Sequence, residues 1–122
     1  MEPALMLRTA LVLLTLAALG GLAMAFTRFS KETNPSSALA MGHGLLAGAA
    51  LTLLVYAYFT VGLPARACWA VVLLAGAAVG GTYLNLRFHA NRVLLAKGIV
   101  VAHALLAVAG YAMLAWAVLA PA

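Results

Sequence analysis

The chain has 122 residues, 67% of them hydrophobic and 7% charged, with a mean hydropathy of +1.14, which excludes an ordinary soluble domain. Its formal charge of +5 does not describe a nucleic-acid surface, because the basic residues sit scattered at the ends of apolar runs. Glu2 and Glu32 are the only acids, and no nucleophile and base stand together, so hydrolysis and group transfer are set aside and a stand-alone enzyme is not expected.

Cutting the chain at its charges leaves four apolar stretches, Thr9 to Thr27, Ala38 to Val61, Ala67 to Leu86 and Gly98 to Ala120. Each is near the roughly 20 residues a helix needs to cross about 30 Å of hydrocarbon. They are continuously apolar and rich in Ala and Leu, where barrel strands would alternate. The expected fold is all-α: four transmembrane helices in an up-down-up-down bundle, forming one integral membrane domain over residues 1–122.

The first stretch ends Ala23-Met24-Ala25, a sequence like a signal-peptidase site. Glu2 partly offsets Arg8 ahead of it, and the segment has a counterpart later in the chain, so it is read as a retained span. Arg28, Lys31, Arg87, Arg92 and Lys97 flank the loops after the first and third helices, and Arg8 and Arg66 mark the other side. The positive-inside rule then puts those two loops in the cytoplasm and both termini in the periplasm of a bacterial inner membrane. Cys68, the single cysteine, reads as a small packing residue in the third helix.

Shifting the chain on itself by 60 positions aligns Ala10, Val12, Leu13, Leu14, Ala17 and Ala18 with Ala70, Val72, Leu73, Leu74, Ala77 and Ala78. The same shift lays Gly20-Gly21 on Gly80-Gly81, and His43-Gly44-Leu45-Leu46-Ala47 on His103-Ala104-Leu105-Leu106-Ala107. The chain therefore reads as two helical hairpins, about 8–62 and about 66–122. Corresponding helices run the same way, which implies a pseudo-twofold axis along the membrane normal. Gly44 with Gly48 on the second helix, and Ala104, Ala107 and Gly110 on the fourth, are small residues expected to permit close helix approach.

His43 and His103 lie at equal depth, about 8 Å inside the starts of their helices at 1.5 Å per residue. An imidazole facing lipid is costly, so both are expected to face the bundle interior and each other. Two inward histidines on opposing helices form an axial-ligand arrangement for a haem iron, His43 and His103 being the metal ligands. Gly20, Gly21, Gly80 and Gly81 lie near that depth and are expected to leave room for a flat macrocycle. Arg28, Arg87, Arg92 and Lys97 lie toward the membrane face, where propionates need positive partners. No CxxCH motif is present, so the haem would be a non-covalent haem b. His89 is read as interfacial, with a possible part as propionate partner or proton carrier. Tyr56, Tyr58, Phe59, Trp69, Tyr111 and Trp116 read as interface belt or packing.

In its two-histidine bundle the chain resembles small membrane b-type cytochromes and the haem-carrying anchor subunits of respiratory enzymes, a resemblance carried by the architecture together with His43 and His103. The resemblance implies electron transfer between a quinone and a partner protein. The chain lacks the second histidine pair of larger di-haem relatives, so one haem is the most it would ligate. Two other readings stay open. One is a cofactor-free accessory subunit whose small-residue faces pack on a membrane protein partner or, as a homo-oligomer, on a second copy. The other is a small transporter or metal carrier using the repeat interface as its pathway; separately, Met24 and Met41 near His43 are residue types that with a histidine ligate copper in place of haem iron.

Overall fold

The computed structural model describes residues 1–120, so the last two positions of the second repeat lie outside the described residues. Among the described residues all regular structure is helical: α1 spans Pro3–Ser30, α2 Ser37–Thr60, α3 Ala65–Tyr83 and α4 Lys97–Leu119. A π-helical turn, Leu84–His89, continues α3. All four helices are long and apolar enough to cross a membrane, as their composition requires: helix closes every backbone hydrogen bond within the segment.

The helix starts follow from local chemistry. Pro3 stands in the first turn of α1, where its missing N–H is no loss. Ser36 caps α2 by accepting from the Leu39 amide at 3.2 Å, satisfying one of the amides that a helix start leaves free. Between α2 and α3 the chain reverses in a few residues through Gly62, whose φ of +75° suits a residue without a Cβ.

The internal repeat reappears in three dimensions. Ala10 and Ala70, Leu14 and Leu74, Ala17 and Ala77, Leu54 and Leu114, and Ala57 and Ala117 are all buried, pair by pair. Glu32 and Arg92, also 60 positions apart, both have left-handed backbone, with φ of 52° and 56°. α1 packs mainly on α2 and α3 on α4, while α1 also meets α4 and α2 meets α3. The four helices thus form a ring with α2 and α4 across from each other. Leu7, Ala10, Leu14, Ala50, Leu54, Ala67, Ala70, Leu74, Leu114 and Ala117 make one core. It fills the end of the bundle away from the two long loops. There the Tyr111 hydroxyl on α4 lies 2.9 Å from Thr15 Oγ1 on α1. Thr15 gives its own proton to the Leu11 carbonyl at 2.8 Å, so Tyr111 is the donor.

Gly110 marks the closest approach. A Cβ there would lie 2.7 Å from Leu74 Cγ and 3.2 Å from the Leu74 backbone nitrogen, so α3 and α4 touch at a distance that only glycine permits. Gly44 and Gly48 do not serve the same purpose on α2: neither has an atom within 4 Å of an added Cβ, and both are exposed.

The repeat breaks at the end of α3. The Ala90 amide donates to the Asn85 carbonyl at 2.7 Å, the i to i+5 bond of a π turn. The Asn91 side-chain amide takes up the Leu86 and Arg87 carbonyls at 2.9 and 3.2 Å. At the equivalent point of the first half stands Lys31, which has no such amide, and α1 runs on as ordinary α-helix through Ser30.

Candidate functional site

His43 and His103 come together as expected. Their ring centroids are 6.2 Å apart and their planes cross at 78°, and both are half-buried. Each imidazole is held by the helix of its own hairpin. His43 Nδ1 lies 2.7 Å from the Ala17 carbonyl oxygen, and His103 Nδ1 lies 2.7 Å from that of Ala77. A carbonyl only accepts, so Nδ1 carries the proton in both rings. Nε2 of each neutral ring is then left with a free lone pair, the form in which histidine binds a metal.

The glycine pairs explain how the rings reach those carbonyls. In a helix the carbonyl of residue i is overhung by the side chain at i+4, and here those positions are Gly21 and Gly81. A Cβ on Gly21 would meet His43 Cε1 at 3.0 Å, and one on Gly81 would meet His103 Cε1 at 3.0 Å. A Cβ on Gly20 or Gly80 would lie 3.7 or 3.6 Å from the Cβ of the same two histidines, in ordinary contact. The room expected for a macrocycle is first of all room for the imidazoles.

The basic residues do not converge on this pair as one group. Arg28 is only 7% exposed; its Nε donates to the Leu95 carbonyl at 2.8 Å and its Nη1 to Glu32 at 2.9 Å. Lys97 closes the set by donating to Glu32 at 2.6 Å. Hydrogen bonds from Lys97 first, then Arg28, hold the Glu32 carboxyl below the usual carboxylate range. Arg87 is exposed beside the Phe88 ring, 5.7 Å from its centroid. Arg92 lies in a separate hollow with His89, and His89 Nε2 donates to the Pro35 carbonyl at 2.8 Å.

Sequence reasoning missed the residues that join the two loops. The Asn34 amide donates through Nδ2 to the Val93 carbonyl at 2.7 Å and accepts through Oδ1 from the Leu95 amide at 3.0 Å. Below that join, Leu84, Leu95 and Val100 form a second small core. The signal for the Ala17 and Ala77 carbonyls was present, a glycine four residues on in each half. Asn34 carried none, because its partners are backbone atoms of another loop. The chain matches no family model, no curated protein and no solved structure.

Proposed function

We propose that the chain is a membrane electron-transfer protein or subunit that holds one non-covalent haem b between α2 and α4, with His43 and His103 as axial ligands. The observation that carries this reading is the matched tether: two imidazoles, each fixed through Nδ1 to a helix carbonyl, with Nε2 left for a metal. The two rings, 6.2 Å apart between centroids, would offer a pair of neutral nitrogen donors, which suits haem iron.

Bound haem supplies one-electron chemistry at its iron. The chain's own residues orient and insulate. The Ala17 and Ala77 carbonyls select the tautomer, fix the ring direction and make Nε2 more basic. Gly21 and Gly81 seat the rings. Leu14, Leu54, Leu74 and Leu114, buried in the adjoining core, keep water from crossing the bundle at the far side. Electrons would pass to a quinone or a partner redox protein in the lipid bilayer of a bacterial inner membrane, with the Arg28 end in the cytoplasm by the distribution of positive charge.

The test is an absorption spectrum of the protein purified after growth with ample haem. A reducible Soret and α-band spectrum, lost in His43→Ala and in His103→Ala, is expected. A colourless wild-type preparation overturns the reading. A cofactor-free accessory subunit is the second reading, favoured by the open, exposed Gly44 and Gly48, which offer a membrane partner or second copy close approach along α2.

A further inference from the structure

Between the two loops at the Arg28 end lies a hollow of about 310 Å³ lined by Thr33, Asn34, Ser37, His89, Arg92 and Leu94. Both halves of the chain build it: three of these residues come from the first loop and the start of α2, and three from the π turn and the second loop. We propose that this hollow binds a phosphate group, with Arg92 as its charge and the Thr33 and Ser37 hydroxyls as further donors. It is a site distinct from the histidine pair and does not depend on the haem reading.

Hydrogen bonds between the two loops brace the wall. Asn34 uses both ends of its amide on the second loop, and His89 uses Nε2 on Pro35. What remains for the anion is the Arg92 guanidinium and the two hydroxyls, since the His89 proton on Nε2 goes to Pro35 and Nδ1 is left as an acceptor. Among the described residues, none of these atoms has a hydrogen-bond partner.

Charge points the same way. Of the two acids in the chain, Glu2 precedes α1 and Glu32 is already held by Lys97 and Arg28. Neither acid pairs with Arg92, so its exposed guanidinium is open to an anion from outside. A guanidinium fork beside hydroxyl donors suits a tetrahedral oxyanion with several acceptor oxygens. At the end of a membrane bundle that group is available in two forms, as the headgroup phosphate of an anionic phospholipid or as free phosphate.

Arg92 has φ of 56°, a conformation that asparagine tolerates better than most residues. Arg92→Asn therefore removes the charge and keeps the turn. Lys31→Gln removes a like charge from the neighbouring loop, outside the hollow, and serves as control. Inorganic phosphate is titrated calorimetrically into the full chain in a neutral detergent. In a second arm the chain is reconstituted into phosphatidylcholine vesicles with and without phosphatidylglycerol, re-extracted, and assayed for retained phosphatidylglycerol by native mass spectrometry.

Saturable phosphate binding that weakens about tenfold or more in Arg92→Asn, with Lys31→Gln near wild type, supports a site for free phosphate. No binding of phosphate alone, but phosphatidylglycerol retained by wild type and lost by Arg92→Asn, supports a headgroup site. Binding of neither probe, or equal binding by wild type and Arg92→Asn, overturns the proposal. So does a haem spectrum that shifts in Arg92→Asn while phosphate and lipid binding do not, which would give the hollow to a propionate.

Discussion

The imidazole of His43 occupies the space that a side chain on residue 21 would need. A Cβ at Gly21 would fall 3.0 Å from His43 Cε1 and 3.3 Å from Nδ1, and Gly81 stands in the same relation to His103. Gly21→Ala and Gly81→Ala should each push an imidazole off its carbonyl tether. The expected cost is about 1–3 kcal/mol of stability, the usual penalty for overfilling a packed site. In a haem-loaded preparation each should also shift the α-band. Chemical unfolding in detergent and a reduced-minus-oxidised spectrum check both effects. Because the contacts are repeated, the two variants should be alike; a large effect at 81 with none at 21 would deny the halves equal roles.

Gly110 predicts a second outcome. Alanine there would bring its Cβ to 2.7 Å from Leu74 Cγ, and the nearby Leu74 backbone leaves the side chain little room to retreat. Gly110→Ala should destabilise by about 1–3 kcal/mol and Gly110→Val by more. Gly44→Ala and Gly48→Ala, facing open space, should stay within about 0.5 kcal/mol in the isolated chain. If their effect appears only in membranes containing the native complex, the exposed face of α2 is a partner surface.

Asn34 is tested by removal of its amide. Asn34→Ala leaves the Leu95 amide and the Val93 carbonyl without their protein partner, at a cost of about 1–3 kcal/mol. Asn34→Asp keeps the acceptor for Leu95 but turns a carboxylate oxygen toward the Val93 carbonyl. It should be less stable than wild type at neutral pH and recover part of the loss on protonation. Hydrogen exchange at the Leu95 amide reports the join directly, and should quicken in both variants.

Glu32 gives a pH dependence of defined sign. Its carboxyl is held below the ordinary value of 4.5 by Lys97 and Arg28. A carboxyl whose folded pKa is depressed contributes stability that is complete above its unfolded value and is lost as pH falls through the lowered one. The stability difference between wild type and Glu32→Gln should therefore be constant from neutral pH down to about 4.5 and shrink below it. It should also be small and salt-sensitive, because the carboxylate is exposed. Thermal unfolding of both proteins across that range measures it.

The four spans were legible because charge and hydropathy mark where lipid ends: the stretch beginning at Gly98 becomes a helix beginning at Lys97, and that ending at Val61 ends at Thr60. The meeting of His43 with His103 was legible too, since a shared register and the cost of an imidazole in lipid leave few other arrangements. The end of the third helix was not. The stretch ending at Leu86 conceals a change of helix type at Leu84, supported by the Asn91 amide folding back on two carbonyls. Hydropathy carries no record of such a bond. Nor could Arg28 be separated in advance from Arg87 and Arg92, because its engagement depends on Glu32 and on the backbone of a loop 67 positions away. Gly44 and Gly110 look alike in sequence; only the position of α3 makes one a contact and leaves the other open.

The join at Asn34 also decides what the two hairpins can be to each other. Many of their buried positions match, Leu54 with Leu114 and Ala10 with Ala70, so much of the core, though not the Leu7/Ala67 and Ala50/Gly110 positions, would accept a copy of the same hairpin. Their loops would not. Leu95, whose amide Asn34 accepts, corresponds to Pro35, which has no amide to give; Asn34 itself corresponds to Leu94, Arg28 to Phe88, and His89 to Phe29. Each half carries the plug for which only the other half is the socket. The duplication is nearly symmetric where the helices meet and heterologous where the loops meet, and the second fact adds to the first hairpin's preference for the second over its own twin.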